Sequence, residues 1–293
     1  MTRSIVVTAA NDLYLPLVAG LLRSLRTQRF SVPFDIGVLD VGLGNEARAE
    51  IAALGATVVA PSALLDYPTR AAWEAQRPAY RAQTERPFLR DIFPGYDVYM
   101  WMDADTWAQT PDAVETMLAS AAQSDALHIC SEIDRDYTPY FLGSQPWEYH
   151  LKWYRDNFPA ETVAAIFPRP MLNSGVFALR ADAPHWGIWA KIYAECLQRA
   201  GGVSDAQFMC DQLSLNVAVY MNGLPLAVMP AEHNWLTIYA LPLWNEASGL
   251  FVRPTPPRTT ISVLHLTHKG KLQPQNIATV GGEKIVRPLM NSI

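Results

Sequence analysis

Two aspartates in the stretch Tyr-Met-Trp-Met-Asp-Ala-Asp-Thr offer the clearest chemistry in this sequence. Asp103 and Asp105 directly follow an apolar run of strand length, 97–102. Residues two apart in an extended chain project the same way, so the two carboxylates can converge on one hard cation. A helix cap or a turn after the strand is the ordinary alternative for such a pair. The pair is therefore a candidate metal site, and the weight of this prediction depends on the other residues of the sequence.

A second pair, Asp134 and Asp136, lacks an immediately preceding long apolar run, and we interpret it as a solvated loop. A phosphatase of the haloacid-dehalogenase type is the sharper rival for the first pair, because its nucleophile motif also places Asp-x-Asp after an apolar strand. That motif normally lies on the first strand and continues with Gly-Thr. Here Thr106 follows Asp105 directly, and three strand-like segments come earlier. The sequence disfavours the phosphatase.

The elements before Asp103 alternate between strand and helix. Apolar runs predict strands at 5–10, 34–39, 57–60 and 97–102, and helical spacing predicts helices at 14–26, 46–54 and 88–93. This alternation predicts an α/β fold with a parallel sheet and crossover helices. Ligands in such sheets lie beyond the carboxyl ends of the strands, which is where Asp103 and Asp105 fall.

The second half of the chain is less regular. We predict helices at 111–122, 184–199 and 205–220, and strands at 126–130, 176–179, 226–229 and 261–266. Segments 61–78 and 241–257 are predicted as loops, and 134–170 as an inserted functional region. This region contains four clustered aromatic residues, which either offer faces to a sugar or belong to the core: Trp147, Tyr149, Trp153 and Tyr154.

Bulk properties exclude several classes of protein. Half of the 293 residues are hydrophobic and 17% are charged, which is typical of a globular protein with a large core. A net charge of −5 without a basic run argues against a nucleic-acid partner. Three scattered cysteines do not form a disulfide framework, and no signal peptide or membrane span is evident. We expect a cytoplasmic protein with at most peripheral membrane association.

Several motifs, taken in order, resemble those of the GT-A glycosyltransferases of family 8, which include glycogenin and bacterial lipopolysaccharide galactosyl- and glucosyltransferases. Asp103-Ala-Asp105 is the anchor, followed by Asn173-Ser174-Gly175-Val176, Asp211-Gln212, Asn234 and His265-Leu-Thr-His268-Lys-Gly-Lys271. The last stretch is similar to the pattern His-x-x-Gly-x-x-Lys-Pro, with His268 in place of Gly and Leu272 in place of Pro. The resemblance covers roughly residues 5 to 271.

The resemblance implies a single GT-A domain over residues 1–293, with a mixed, mostly parallel central sheet flanked by helices. Residues 1–106 would form the nucleotide-binding half, and 107–245 the half that meets the donor sugar and the acceptor. Residues 246–293 would form a C-terminal loop region with metal and diphosphate residues. These boundaries are expectations for the structure.

The family pattern implies that Asp103, Asp105 and His265 bind the metal. Two carboxylates and one imidazole suit Mn²⁺ better than Mg²⁺, which prefers all-oxygen surroundings, so we expect manganese with magnesium as the alternative. A core histidine at a strand end is the ordinary alternative for His265. His268 is the second candidate for the third ligand.

The resemblance also implies donor-binding and catalytic residues. Asn11 and Tyr14 would hold the base and ribose through an amide and a stacking face, unless they form an Asx turn that starts the first helix. Asp211 and Gln212 would lie nearest the reacting carbon and are the catalytic candidates. The complete donor-binding set is Asn11, Tyr14, Arg86, Asp103, Asn173, Ser174, Asn234 and Lys271.

The implied function is the metal-dependent transfer of a hexose from a nucleotide sugar, with UDP-hexose as the expected donor. The acceptor would be a glycan, a glycolipid or another lipid-linked molecule, or an acceptor of another kind, and the anomeric configuration would be retained. The 134–136 pair would then lie in a loop near the acceptor. A non-catalytic protein of the same fold that binds nucleotide sugars or glycans is the alternative function, since His268 and Leu272 depart from the family pattern.

Overall fold

The computed structural model describes residues 2–62, 64–143, 145–199 and 204–291. Its first eight strands are β1 Ser4–Ala10, β2 Asp35–Asp40, β3 Thr57–Val59, β4 Val98–Met102, β5 Thr106–Ala108, β6 Leu127–Ser131, β7 Leu172–Arg180 and β8 Leu226–Met229. Six short strands follow: β9 Trp235–Leu236, β10 Leu243–Asn245, β11 Leu250–Val252, β12 Val263–His265, β13 Gln275–Ala278 and β14 Lys284–Arg287.

The α-helices vary from one turn to four. They are α1 Leu15–Thr27, α2 Asn45–Ala53, α3 Arg70–Gln76, α4 Arg81–Glu85, α5 Leu89–Ile92, α6 Asp112–Gln123, α7 Pro139–Leu142, α8 Gln145–Asn157, α9 Ala160–Ile166, α10 His185–Arg199, α11 Asp205–Phe208 and α12 Cys210–Asn222. Short 3₁₀ turns span Asp12–Tyr14, Pro78–Tyr80, Arg86–Phe88 and Ala231–His233. No helix of the described residues is long and apolar enough to cross a bilayer.

A seven-stranded sheet forms the centre of the molecule, in the order β3-β2-β1-β4-β7-β6-β8. Strand β7 runs antiparallel to both β4 and β6, and the remaining neighbours are parallel. The expected mixed, mostly parallel sheet is therefore confirmed. Every residue of β1, β4 and the first eight positions of β7 is buried, as expected for strands covered by helices on both faces.

Two apolar layers enclose this sheet. One joins it to α1, α2 and α6 through side chains such as Leu21, Ile51 and Met117. The other joins it to α10 and α12 through side chains such as Trp189 and Leu213. The helices thus lie on both faces of the sheet and leave the carboxyl ends of its parallel strands for the site.

A small three-stranded sheet, β5-β12-β9, brings the C-terminal part of the chain to β4. Strand β12 pairs antiparallel with β5, so that His265 lies opposite Thr106. It also pairs in parallel with β9, placing His265 beside Leu236. The sequence suggested a strand at 261–266, but the register of β12 with β5 depends on pairing between segments more than 150 residues apart, which local periodicity does not specify.

The loop predictions for 61–78 and 241–257 are wrong in part. The first segment contains all of α3, where Trp73 is buried and stacks on Tyr80 with ring centroids 4.1 Å apart. The second contains the β10–β11 hairpin. Region 134–170 is largely helical, comprising α7, α8 and α9, and the helix predicted at 205–220 is divided into α11 and α12. In segments 61–78, 241–257 and 134–170, tertiary contacts stabilise helices and strands that the sequence pattern indicates only weakly.

Candidate metal and donor site

Asp103 and Asp105 lie in the tight turn between β4 and β5. The backbone N–H of Asp103 donates to the carbonyl of Gly175 at 2.8 Å and thereby extends the pairing of β4 with β7. The carbonyl of Asp103 accepts from the N–H and hydroxyl of Thr106 at 2.9 and 2.7 Å. A turn therefore replaces the extended geometry expected from the sequence, yet the turn also directs both carboxylates to one side.

His265 completes a three-residue cluster. Its Nε2 atom lies 3.7 Å from Oδ2 of Asp103 and 3.4 Å from Oδ1 of Asp105. One potential ligand atom from each of the three residues lies within 4.8 Å of the others. His265 is 4% exposed. The structure thus brings together the three residues that the sequence suggested as ligands.

The electrostatics of this cluster favour carboxylate anions. Burial on its own would raise the pKa of Asp105, but the neighbouring His265 and Lys271 lower it well below its usual range. Lys271 forms an ion pair with Oδ2 of Asp105, and its ammonium lies 5.4 Å from the centre of the Tyr14 ring. Lys271 therefore lies between the candidate metal ligands and the candidate base-binding residues.

Arg86 lies between Asp103 of the candidate metal cluster and Asp211 of α12. One guanidinium nitrogen donates to Asp103, and another donates to Asp211 and, at 2.9 Å, to the hydroxyl of Ser174. Burial opposes the charge of Arg86, but Asp103 and Asp211 more than offset this effect and raise its pKa. The planar fork of arginine suits such a bridge, which a point charge could not form in the same way.

Asp211 and Gln212 lie at the start of α12, beneath Asn173 and Ser174 of β7. Burial raises the pKa of Asp211 even though Arg86 opposes this shift. The amide of Gln212 is held at both ends, since Nε2 donates to Glu132 at 2.9 Å and Oε1 accepts from the Ser174 N–H at 3.0 Å. Both residues are thus fixed and almost fully buried.

Asn11 and Tyr14 lie at the carboxyl end of β1. Oδ1 of Asn11 accepts from the N–H of Tyr14 at 3.1 Å, which is the Asx-turn geometry that the sequence left open. A surface cavity of about 350 Å³ lies beside this turn, lined by Asp12, Leu15 and residues 44–47. The capping role and a role in binding a base are compatible, because the cap uses only the carbonyl oxygen of the amide.

The whole-chain similarity to solved structures establishes the fold. Galactosyltransferase LgtC in complex with donor and acceptor sugar analogues is 16% identical at a TM-score of 0.53, covering 90% of this chain and 87% of that one. An active-site mutant of LgtC is 17% identical at 0.54, covering 89% and 86%. The apo form of mouse xyloside xylosyltransferase 1 is 13% identical at 0.50, covering 90% and 98%. The chain has a GT-A glycosyltransferase fold. No protein-family model and no curated protein matches its sequence.

The GT-A fold places the cluster of Asp103, Asp105 and His265 at the carboxyl edge of β4. The three residues fit a divalent cation, since two carboxylates and one imidazole nitrogen are suitable ligands for such ions. Gly175 leaves the space for this arrangement: a Cβ atom there would lie 2.3 Å from Cε1 of His265 and 2.8 Å from Oδ2 of Asp103. Both the ligand types and the space left by Gly175 are therefore compatible with a bound divalent cation.

His268 is not part of this cluster in the GT-A fold. The group of ligand atoms that lie within 4.8 Å of one another comprises Asp103, Asp105 and His265. The imidazole of His268 is instead held through Nδ1, which lies 2.8 Å from the hydroxyl of Thr237. Burial, followed by the charge of Lys271, lowers the pKa of His268. The structure therefore favours His265 over His268 as the third ligand.

The prediction that Asp134 and Asp136 form a solvated loop is wrong. Asp136 is 2% exposed, and it accepts from Nε of Arg253 at 2.7 Å. The same guanidinium also donates to Asp134 and, at 2.8 Å, to Glu232. Arg253 directly follows β11 and is too distant in sequence from Asp134 and Asp136 for the pairing to be recognised. It provides the counter-charge that permits burial.

The four aromatic residues of region 134–170 were predicted either to face a sugar or to belong to the core, and they differ in this respect. Tyr154 is 3% exposed and belongs to the core, whereas Tyr149 is 56% exposed and stacks on Trp153 with centroids 6.1 Å apart. Trp147 is half-buried and meets Tyr140 edge-on. Only part of the cluster thus offers a face to a ligand.

Sequence reasoning missed Trp101 and Glu132. Nε1 of Trp101 donates to Asp103 at 2.8 Å, and its ring lies 4.8 Å from the guanidinium carbon of Arg86. The alternation of side chains along β4 could have revealed this residue, since it lies two positions before Asp103. Glu132 follows β6 and carried no recognisable signal, because its importance depends on partners from four other parts of the chain.

Glu132 is a buried carboxylate whose two oxygens are both occupied. Oε1 accepts from Nδ2 of Asn173 at 2.8 Å as well as from Gln212. Oε2 accepts from the hydroxyl of Tyr239 at 2.8 Å and lies 3.3 Å from Nε2 of His150. Burial on its own would raise the pKa of Glu132, but His150, Asn173 and Tyr239 lower it to about 2. It is an ionised group that holds the amides around it.

Proposed function

We propose that this protein is a glycosyltransferase that moves a hexose from a UDP-sugar to a glycan, lipid-linked or other acceptor, with retention of configuration and with Mn²⁺ as cofactor. The observation that carries this proposal is the convergence of Asp103, Asp105 and His265 at the carboxyl edge of a GT-A sheet. The sugar analogues bound to LgtC, a protein of the same fold, support a nucleotide sugar and a glycan as partners.

The positive charges around the cluster suit a diphosphate. A divalent cation held by Asp103, Asp105 and His265 would neutralise negative charge on the leaving nucleoside diphosphate. Lys271 lies beside the same carboxylates, and its ammonium can donate to phosphate oxygens when its contact with Asp105 is exchanged. Asn11 and Tyr14 would then hold the base and ribose on the far side of Lys271.

The sugar would lie over the residues that Arg86 connects. Arg86, Asn173 and Ser174 are proposed to contact the donor, and Asp211 and Gln212 to lie nearest its reacting carbon. Arg86 keeps Asp211 in place beside Asp103. Since Gln212 is held at both ends of its amide, its function is to present fixed dipoles to the sugar, which requires no reorganisation during the reaction.

Metal-dependent nucleotide binding is the first test. Calorimetric titration with UDP should show binding in the presence of Mn²⁺ and much weaker binding in EDTA. The same titration with Mg²⁺ compares the two metals, and we expect the affinity for UDP to be higher with Mn²⁺. The absence of any metal-dependent binding of UDP or of other nucleoside diphosphates would contradict the proposed site.

Turnover distinguishes an enzyme from a binding protein. Incubation with Mn²⁺ and a panel of UDP-sugars should release UDP slowly even without an acceptor, because water can act as a poor acceptor. Asp105→Ala should abolish this release, whereas Asp182→Ala, at an exposed position, should not. Tight metal-dependent binding without release from any donor would instead favour the non-catalytic alternative. Cleavage of simple phosphate esters without nucleotide preference would indicate a phosphatase.

A further inference from the structure

The usefulness of His265 as a ligand depends on which of its ring nitrogens carries the proton. Nε2 faces the carboxylates of Asp103 and Asp105, whereas Nδ1 lies 2.9 Å from Oδ1 of Asn234. In a neutral imidazole one nitrogen donates and the other has a lone pair, and metals bind the lone pair. Distances alone do not identify the tautomer, because the two ends of an asparagine amide are similar in shape.

The backbone N–H of Gly175 fixes the orientation of the Asn173 side-chain amide. The N–H of Gly175 can only donate, and it lies 3.0 Å from one end of the Asn173 amide, which must therefore be the oxygen Oδ1. The other end, Nδ2, then faces Oε1 of Glu132 at 2.8 Å, and a carboxylate oxygen is the acceptor that this NH₂ group requires. Two independent partners thus fix Asn173 in the same orientation.

The orientation of the Asn234 amide follows from that of Asn173. Asn234 lies 2.9 Å from Oδ1 of Asn173, which is an acceptor, so Asn234 must present its NH₂ group there. Its remaining end is Oδ1, which faces Nδ1 of His265. Nδ1 must therefore carry a proton, and in the neutral ring the lone pair of Nε2 is directed at the two carboxylates.

From this relay we infer that Asn234 is a positioning residue, which holds His265 in the metal-binding tautomer and is itself oriented through Asn173 by Glu132 and Gly175. The inference rests on the proposed metal site. It replaces the expected direct contact of Asn234 with the donor, since this residue is 0% exposed. The residues of the relay are all buried, so each bond in it is costly to break.

The relay has a branch at Glu132. The same oxygen, Oε1, accepts from Asn173 and from Nε2 of Gln212 at 2.9 Å. Glu132 therefore orients Asn173, which in turn orients Asn234 and His265. It also orients Gln212, which is proposed to lie near the reacting carbon. A change at Glu132 would disturb both ends of the site, whereas a change at Asn234 would affect the metal end alone.

The wild-type protein provides the first test. In protein labelled with ¹⁵N in its histidine rings, long-range ¹H–¹⁵N spectra at alkaline pH with the diamagnetic ion Mg²⁺ report which nitrogen of each ring is protonated. His265→Gln identifies the signal. The expected result is a proton on Nδ1 of His265 and none on Nε2. A proton on Nε2, alone or together with one on Nδ1, overturns the inference.

Variants test the consequence for binding of Mn²⁺ alone, followed by electron paramagnetic resonance of the free ion. Asn234→Leu keeps the size of the side chain but removes the acceptor, and it should weaken Mn²⁺ binding about 10- to 100-fold, the usual effect of losing such a partner. Asn234→Asp keeps an acceptor for Nδ1 and should bind Mn²⁺ more tightly than Asn234→Leu. A merely structural residue would not separate the two variants in this order.

Asn216→Leu is the matched control. Asn216 is also 0% exposed and also uses both ends of its amide, but its partners are the backbone of Leu172 and Gln212. Its replacement should lower thermal stability and leave Mn²⁺ affinity unchanged. Equal affinity in wild type and Asn234→Leu overturns the inference, whereas failure of the wild type to bind Mn²⁺ would contradict the proposed function itself.

Discussion

Gly175 lies so close to His265 that a Cβ atom built on it would meet Cε1 of the imidazole at 2.3 Å. The second obstacle, Oδ2 of Asp103, would be at 2.8 Å. Gly175→Ala should therefore displace the metal ligands, and we expect Mn²⁺ binding to be lost in a titration that detects it readily in the wild type. Gly187→Ala is the control, because nothing lies within 4 Å of its added Cβ. Normal Mn²⁺ affinity in Gly175→Ala would contradict the placement of the site.

Replacing Arg86 should destabilise the metal-free protein. Arg86→Met leaves Asp103 and Asp211 without their shared cation, and removing one partner from a buried ion pair typically costs about 3–5 kcal/mol. Urea denaturation in EDTA measures this loss. Adding Asp211→Asn removes one of the stranded charges and should restore part of the stability. If the double variant is no more stable than Arg86→Met, the bridge has no such electrostatic role.

Lys271 should matter for the diphosphate more than for the metal. Lys271→Met removes a charge-assisted hydrogen bond worth about 1.5–3 kcal/mol, so the affinity for UDP with Mn²⁺ should fall about 10- to 100-fold. The affinity for Mn²⁺ alone should not fall, because Asp105 loses a competing cation. Lys269→Met, at an exposed neighbour in the same loop, should bind UDP as the wild type does. Calorimetry with each ligand measures both affinities, and equal losses for the two ligands would argue against this division.

Glu132 should contribute a component of stability that is lost in acid. Its pKa in the folded protein, about 2, is below the ordinary value of 4.5, so its contribution is complete above pH 4.5 and disappears as the pH falls through about 2. This shift corresponds to about 3 kcal/mol. The difference in unfolding free energy between wild type and Glu132→Gln should shrink over this range in urea titrations with EDTA. A difference that stays constant with pH would contradict the assignment.

Arg253 provides a contrast with Arg86. Arg253→Met leaves Asp134, Asp136 and Glu232 without their common partner, and the unfolding free energy should fall by about 3–5 kcal/mol. Because this cluster is separate from the metal ligands, Mn²⁺ affinity in the folded variant should equal that of the wild type. Denaturation and Mn²⁺ titration check the two statements, and weakened Mn²⁺ binding would show that the second Asp-x-Asp pair supports the site.

Local patterns in the sequence identified most of the central sheet. Apolar runs such as 5–10 and 97–102 are strands because they are buried on both faces, and this requirement is visible in the residues themselves. The position of Asp103 and Asp105 after such a run placed them at the carboxyl edge before any contact was known. The convergence of His265 on them came from the family pattern, and the structure shows the antiparallel pairing of β12 with β5 that produces it.

The tertiary structure decided what surrounds these residues. Arg86, Glu132 and Asn234 act through partners that lie 17 to 125 positions away in the sequence, and no periodicity encodes such pairings. Burial also separates two residues from their expected surroundings: Asp136 is paired instead of solvated, and Asn234, predicted to bind the donor, is fully buried. A sequence shows which side chains have the required chemistry. Only the packed chain determines which donor meets which acceptor, because burial makes each unsatisfied polar group costly.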